Sequence, residues 1–127
     1  MQKKDPQKLY NDGLKYFDRV KYKNARQSFS RILNEFPFVS IADDANYYYA
    51  ICFFKEDKFH ETIEAFQSLI ERYNDSNWVP EAYYHIGLCK TKLGDITGAK
   101  LTYQYLIDNY NSTVCANYAK DRLKEMH

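Results

Sequence analysis

The sequence predicts an all-α solenoid, in which helical hairpins stack along one axis. Three sets of residues recur at a spacing of 37 along the chain: Gly13, Ala50 and Gly87; Tyr10, Tyr47 and Tyr84; and Phe29, Phe66 and Tyr103. Between these positions the apolar residues follow helical spacing, and no segment alternates as a half-buried strand does. Self-similarity at a period of about 20–50 residues is typical of repeat proteins, whose units stack to bury one continuous core.

Each repeat predicts two helices joined by a short turn. The predicted helices cover residues 9–17 and 22–36, 45–54 and 59–73, and 78–93 and 96–110. Pro37 ends the second helix, because a proline cannot continue the hydrogen-bonded ladder. Ser40 is expected to cap the third helix, with Asp43 three residues on. Pro80 suits the first turn of the fifth helix, and Gly94 marks the last hairpin turn.

A seventh helix is predicted over residues 114–126, with residues 111–113 as its cap. Its charged residues are expected to face outward, and they are Lys120, Asp121, Arg122, Lys124 and Glu125. Its expected inner contacts are Tyr118, Ala119, Leu123 and Met126. A polar terminal helix is what a solenoid needs to close its stack, so we expect this helix to be a cap.

The composition predicts one domain over residues 1–127, with 13 tyrosines and 8 phenylalanines to bury. The net charge of +1 hides a segregation of charge. Residues 1–31 carry nine Lys or Arg against three Asp or Glu, whereas residues 32–81 carry three against ten. No stretch reaches the roughly 18 apolar residues of a membrane span, and no secretory apolar region follows Met1. We therefore expect a cytosolic protein or a domain of a longer exported chain.

The three cysteines predict buried thiols rather than a disulfide framework, because their number is odd. Cys52 and Cys89 occupy equivalent positions of successive repeats, and Cys115 stands alone. Equivalent positions on stacked helices are about 9–10 Å apart, which is beyond the reach of a disulfide.

The repeat resembles the tetratricopeptide repeat (TPR), whose pattern is W-x2-L-G-x2-Y, then A-x3-F, then P. The first repeat matches with Leu9, Gly13, Tyr16, Ala25, Phe29 and Pro37, the second with Ala50, Phe53 and Phe66, and the third with Gly87, Ala99 and Tyr103. Thr62, Lys90, Asn74 and Asn111 depart from the pattern. The resemblance implies a right-handed TPR solenoid of three helical hairpins, at about residues 6–39, 43–76 and 80–113, plus a C-terminal capping helix at residues 114–126.

Two segments, ERYNDSNWVPEAYYHIGLCKTKLGD and IDNYNSTVCANYAKDRLKEM, are similar to envelope TPR proteins of bacteria. The resemblance is to the C-terminal TPR domain of the Tol–Pal-associated CpoB (YbgF) family, and at a greater distance to the outer-membrane assembly lipoprotein BamD. It implies a place in the periplasm or cell envelope. The cytoplasm is the alternative, since this chain shows no signal peptide.

The sequence contains no motif of catalysis or of cofactor binding, such as G-x-x-x-x-G-K-[ST], G-x-G-x-x-G or H-E-x-x-H. His85 and Cys89 lie four residues apart on one helical face, but two further metal ligands at suitable spacing are lacking. The basic start of the chain would attract phosphate, yet its aromatics fit the repeat core and the acidic second repeat opposes a polyanion. We therefore predict no enzyme activity, cofactor, metal, nucleic-acid partner or small-molecule substrate.

In a TPR stack the first helix of each hairpin lines the concave groove. By that register, the predicted partner-binding residues are Tyr10, Leu14 and Phe17, then Tyr47, Ile51 and Phe54, then Tyr84 and Leu88. Asp18, Lys55 and Lys92 are charged groove positions of the same register. A ladder of tyrosines with apolar neighbours suits an extended or helical peptide, although tyrosines there also pack between repeats.

One function of the TPR family is not expected in this chain. Chaperone-binding TPR domains use Lys and Asn to hold a C-terminal carboxylate, and the corresponding positions here are Tyr10, Leu14, Tyr48, Glu81 and His85. We predict instead a protein–protein interaction adaptor that binds a protein or peptide segment in the concave groove, within a bacterial cell-envelope assembly. The alternative is a self-assembly or scaffold module of a larger protein, which would use the repeat ends or the convex face.

Overall fold

Seven α-helices and no β-strand make up residues 5–126, the part of the chain that the structure, a computed structural model, describes. The helices are α1 (Pro6–Asp18), α2 (Tyr22–Glu35), α3 (Ala42–Lys55), α4 (Phe59–Arg72), α5 (Val79–Lys92), α6 (Ile96–Asn109) and α7 (Val114–Glu125). None of these helices is both long enough and apolar enough to cross a bilayer. The main packing joins consecutive helices, and α7 also packs against α5. This arrangement confirms the predicted all-α helical-repeat solenoid.

The core consists of three apolar clusters that follow one another along the solenoid. The first surrounds Phe29 and Ile32 between α1, α2 and α3. The second surrounds Phe66 and Leu69 between α3, α4 and α5, and the third surrounds Tyr103 between α5, α6 and α7. All five of these side chains are buried. Because each cluster draws on three consecutive helices, no single hairpin buries its apolar face alone.

Each hairpin packs an aromatic ring of its second helix on a small residue of its first helix. The pairs are Gly13 with Phe29, Ala50 with Phe66, and Gly87 with Tyr103. A Cβ atom at Gly13 would lie 2.6 Å from the Phe29 ring, and one at Gly87 would lie 2.7 Å from Cζ of Tyr103. These distances are too short for van der Waals contact, so the two glycines permit the close approach of the helices.

Gly87→Ala is expected to lower the free energy of unfolding by about 1–3 kcal/mol, because the added methyl group overpacks against Tyr103. This cost outweighs the roughly 1 kcal/mol by which alanine favours a helix over glycine. Urea denaturation measures the change, and the same substitution in a Tyr103→Leu background should cost less. A Gly87→Ala protein as stable as the parent would contradict this packing constraint.

The three hairpin turns place one residue each in the left-handed region of backbone space. These residues are Val20, Asp57 and Gly94, with φ values of 62°, 59° and 85°. They are separated by 37 residues, so the left-handed turn is part of the repeat. Only glycine adopts this region freely, and other residues incur a cost of roughly 1–2 kcal/mol. Val20 is exposed and β-branched, so its side chain offers little burial to offset that cost.

Val20→Gly is therefore expected to raise the free energy of unfolding by about 1 kcal/mol, although it replaces a larger residue with glycine. The matched control is Val114→Gly, which removes an exposed valine from the first turn of α7 and should destabilise. Urea denaturation of both variants tests the difference. If Val20→Gly destabilises as much as Val114→Gly, the turn carries no backbone strain.

The structure corrects one predicted helix start and agrees with another. Ser40 does not cap α3, because the helix begins at Ala42 and its N-cap residue, Ile41, makes no side-chain capping hydrogen bond. At α7, Oγ1 of Thr113 accepts a hydrogen bond of 3.2 Å from the backbone N–H of Ala116, as the predicted cap requires.

The last helix packs mostly as predicted, with one exception. Ala119 is buried, and Leu123 and Met126 pack half-buried against the third cluster. Tyr118 was predicted to face inward, but it is 52% exposed and its ring lies 5.8 Å from that of Tyr84. The buried face of α7 consists of small residues, so the large ring lies beside the interface.

Candidate partner-binding groove

An unbroken series of aromatic rings crosses α1, α3 and α5 on one face of the solenoid. We call Tyr10, Tyr48, Tyr47, His85 and Tyr84 the aromatic series. Successive ring centroids are 6.2, 5.3, 6.4 and 6.0 Å apart in that order. All five side chains are half-buried, so each has a packed side and an accessible side. The three predicted tyrosines are thus brought to one surface, but Tyr48 and His85 link them.

A hollow of about 330 Å³ lies at the centre of this face. It is lined by Phe17, Tyr47, Tyr48, Ile51, Phe54, Lys55, Trp78 and His85, and we call it the central hollow. Four of the predicted groove residues are in this lining. Ile51 is only 6% exposed and belongs to the core, so it supplies the floor rather than a free contact.

The other four predicted residues lie outside the lining of the central hollow. Tyr10 and Leu14 pack half-buried against the first core cluster, and Leu88 is half-buried on α5. Tyr84 lines a second hollow of about 240 Å³ between α5 and α7, and Nε of Arg122 donates a 3.2 Å hydrogen bond to its hydroxyl. The predicted set therefore divides between the central hollow and its surroundings.

Tyr47 is held in place by the segment that precedes α5. Its ring stacks on Trp78 with centroids 3.7 Å apart and planes 12° apart. Nε1 of Trp78 donates a 2.7 Å hydrogen bond to Oδ1 of Asp44, which orients the indole. Burial raises the pKa of Tyr47 to about 12, and the charge of Glu81 adds to this. Tyr47 consequently joins neighbouring repeats as well as facing the groove.

His85 places a polar ring among these aromatics. Its Nδ1 lies 2.9 Å from the backbone oxygen of Glu81, and since a carbonyl only accepts, Nδ1 carries the proton. The ring stacks on Phe66 with centroids 5.2 Å apart. Burial lowers the pKa of His85, opposed by the bond to Glu81, so the ring is neutral at pH 7. In the neutral ring Nε2 is an acceptor, and no residue of 5–126 donates to it.

The side chains that could have bound a metal are committed to packing. Cys89 is fully buried, and burial raises its thiol pKa to about 12. The same holds for Cys52 and Cys115, so all three are protonated, buried thiols. Residues 5–126 contain no group of three His, Cys, Asp or Glu with the geometry of a metal site.

Carboxylates border the N-terminal ends of the groove helices. Asp43 and Asp44 lie in the first turn of α3, and Glu81 lies in that of α5. Burial, with the charges of Asp44 and Asp43, raises the pKa of Tyr10 to about 12. Negative charge therefore extends over this part of the groove. It disfavours the carboxylate of a ligand.

Sequence reasoning missed Trp78, and it named Tyr48 and His85 only as positions that correspond to a carboxylate clamp. Tyr48 and His85 follow Tyr47 and Tyr84 directly, and Trp78 lies between hairpins, outside the helical register. The register of chaperone-binding TPR domains pointed to Tyr48 and His85 as groove positions, but neither was included among the predicted partner-binding residues. Nothing in the 37-residue spacing points to Trp78, because its place depends on stacking between repeats.

The fold and groove define a TPR-type helical repeat protein, and solved structures share the fold. The Arabidopsis OM64 TPR domain has a TM-score of 0.75 at 12% identity, with 94% of each chain covered. The first TPR of Spaghetti (RPAP3), bound to the HSP90 peptide SRMEEVD, has a TM-score of 0.74 at 18% identity, covering 95% of this chain and 89% of that one. The second TPR domain of human RPAP3, in complex with the HSP70 peptide SGPTIEEVD, gives 0.72 at 17% identity, covering 94% and 98%. At these identities the likeness shows the fold alone.

The chain belongs to the family described as YfiO, outer membrane lipoprotein, which matches residues 2–127. Comparison with curated proteins finds no match. The predicted TPR resemblance is thereby supported, whereas the resemblance to the CpoB (YbgF) family is not confirmed.

The lowered pKa of His85 predicts a loss of stability in mild acid. The unfolded chain, with an ordinary histidine, takes up the proton first, so the free energy of unfolding falls as pH drops below about 6.5. Urea denaturation between pH 5 and 7.5 measures this slope, and His85→Gln should reduce it. His60→Gln, at an exposed position of α4, is the control and should leave the slope unchanged. Equal slopes for His85→Gln and the parent would contradict the burial of this ring.

Proposed function

We propose that this chain is a protein–protein interaction adaptor, which binds a segment of a partner protein in the groove formed by α1, α3 and α5. The observation that carries the proposal is the aromatic series with the central hollow beside it. Tyrosine and tryptophan rings are rigid, amphipathic contact surfaces, and they lose little conformational entropy on binding. The proposal assigns no catalysis, cofactor or small-molecule substrate to the chain.

Preorganisation is the mechanism of binding in this proposal. The stacked helices and the Tyr47–Trp78 contact hold the groove rings before the partner arrives, so little ordering accompanies association. Binding energy usually concentrates in an anchor side chain that fills a central pocket. In this groove the anchor would enter the central hollow, between Phe17 and His85.

Solved structures with a similar fold support a peptide as the bound species. The chemistry of the groove, however, favours a peptide different from those in the solved structures. The RPAP3 structures carry peptides that end in EEVD. Here Glu81 and Asp44 border the groove, and an acidic C-terminus would meet like charge. We therefore propose an internal segment with an apolar anchor, rather than a chaperone tail. The outer membrane lipoprotein family supports a place in a bacterial envelope assembly, in the periplasm or at the membrane surface.

A second candidate function has its own observation on the convex side. Leu101 is 68% exposed and Tyr105 is 48% exposed on α6. They border a hollow of about 440 Å³, which Tyr83 and Ile86 also line. An exposed apolar patch of this kind is typical of a contact surface, so self-assembly through the convex face is the alternative. Light scattering after size exclusion would reveal self-assembly as a molar mass that increases with protein concentration. Leu101→Asp should abolish this increase.

Photocrosslinking identifies which face meets the partner. Benzoylphenylalanine at Phe54, in the lining of the central hollow, is expected to capture a protein in cells of the source bacterium. The same group at Tyr105, on the convex face, is the matched control and should capture none. Adducts at Tyr105 alone would reject the groove as the site and favour the convex face.

Once the partner is captured, Tyr84→Ala is expected to weaken binding about tenfold or more, because Tyr84 belongs to the aromatic series and an aromatic hot spot is worth roughly 1.4 kcal/mol or more at an interface. Tyr105→Ala should leave the affinity unchanged. Calorimetry measures both, after circular dichroism has shown that the variants fold. Tyr84 is preferred over Tyr47 for this test, because Tyr47→Ala would also remove the stack on Trp78.

A further inference from the structure

The two helices that flank the central hollow carry the same arrangement of charge. Near its start α3 has Asp44 and at its end Lys55, while α5 has Glu81 and Lys92 at the positions 37 residues later. At the helical rise of about 1.5 Å per residue, the 11 residues between each acid and its lysine span about 16 Å. α3 and α5 therefore present an acidic edge and a basic edge, one on each side of the hollow.

The two helices run in the same direction, so their charges align. Trp78, just before α5, stacks on Tyr47 near the start of α3. Further along, the ring centroid of His85 on α5 lies 5.2 Å from that of Phe54, near the end of α3. His85 experiences both edges, since the charge of Glu81 raises its pKa and that of Lys55 lowers it. α1 is different, with Gln7 and Asp18 at the equivalent positions.

These edge charges are not neutralised within the described part of the chain. None of the ion pairs among residues 5–126 includes Asp44, Glu81, Lys55 or Lys92. Asp44 accepts a hydrogen bond from Trp78, which leaves its charge intact. Lys55 is exposed, and it borders the central hollow. A ligand in the groove therefore has negatively charged residues on one side and positively charged residues on the other.

We propose, building on the proposed function, that the groove selects an extended segment with basic residues on one side and acidic residues on the other. The segment runs along the aromatic series, and its apolar residue points to the same side as its acidic residues, because Lys55 of the basic edge lines the central hollow. In an extended chain successive side chains point to opposite sides. Basic residues then face Asp44 and Glu81, and acidic residues at odd separations from them face Lys55 and Lys92. Nε2 of His85 accepts a hydrogen bond from the backbone N–H of the segment.

The extended form sets the charge spacing that the groove would select. The aromatic rings run across α1, α3 and α5, and the charged edges lie on either side of that line. A helix places its charges all around its axis at about 100° per residue, so basic and acidic residues at odd separations would not divide between two sides. In an extended segment, residues at odd separations always point to opposite sides.

Designed peptides and the single tryptophan of the chain provide the test. Trp78 is the only tryptophan and lines the central hollow, so its fluorescence reports occupancy without a label. The probes are nine-residue peptides of one composition, with two arginines, two glutamates and a central leucine. In the odd-spaced peptide every arginine is an odd number of residues away from every glutamate. In the even-spaced peptide these separations are even numbers of residues. The odd-spaced peptide is expected to bind about two- to fivefold more tightly at low salt, and 0.5 M salt should remove the difference.

Charge reversal makes the test specific to the edges. Lys55→Glu is expected to lower the affinity for the odd-spaced peptide by about two- to fivefold. The same variant is expected to bind more tightly a peptide in which arginine replaces both glutamates. Lys120→Glu, on the outer face of α7, is the matched control and should change neither affinity.

Three results would overturn the inference. Equal binding of the odd- and even-spaced peptides, with a response of Trp78, would reject the charged edges and leave the groove as a binding site. Tighter binding of a peptide that becomes helical in circular dichroism would reject the extended form. If no peptide changes the fluorescence of Trp78, the inference and the proposed groove function both fail.

Discussion

The close approach of the two helices in each hairpin is the constraint on which the rest of this structure depends. It requires a small residue opposite an aromatic ring, as at Gly13 with Phe29 and at Gly87 with Tyr103. The buried ring fixes the rotation of both helices, and that rotation turns the tyrosines of the first helices toward one face. The groove is therefore a consequence of core packing, and it recurs with the same 37-residue spacing as the core.

Much of the fold was predictable because its causes are local and periodic. The hairpin turns were expected near Val20, Asp57 and Gly94, and the helices break there. The cap at Ser40 was wrong, because a suitable residue caps a helix only when its backbone leaves the helix at that point, and α3 begins at Ala42. Within the site, the 37-residue spacing predicted that the tyrosines lie on one face. The position of Trp78 depends on a contact between repeats, which the spacing does not predict.

In the proposed binding mode the groove residues serve stability and recognition together. Tyr47 faces the central hollow, yet it also stacks on Trp78 and touches Phe66 of the core. Truncating such a residue changes the fold and the surface at once, so a loss of binding does not by itself identify a contact. Tyr84 and Phe54 separate the two effects better, because neither is part of the Tyr47–Trp78 stack that joins the repeats.

Charge adds to this groove what aromatic packing lacks, which is direction. Acids in the first turn and lysines in the last turn of a helix are favourable for the helix itself, because they complement its dipole. On α3 and α5 the same residues lie at the two ends of the groove helices, and Lys55 lines the central hollow, so in the proposed binding mode a local stabilising pattern also polarises the surface. In this proposal the aromatic floor accepts many apolar side chains, and discrimination among partners depends on the charged edges. Because Lys55 and Lys92 are exposed and Asp44 and Glu81 are only half-buried, such discrimination is modest for each pair and accumulates along a segment that meets several of them.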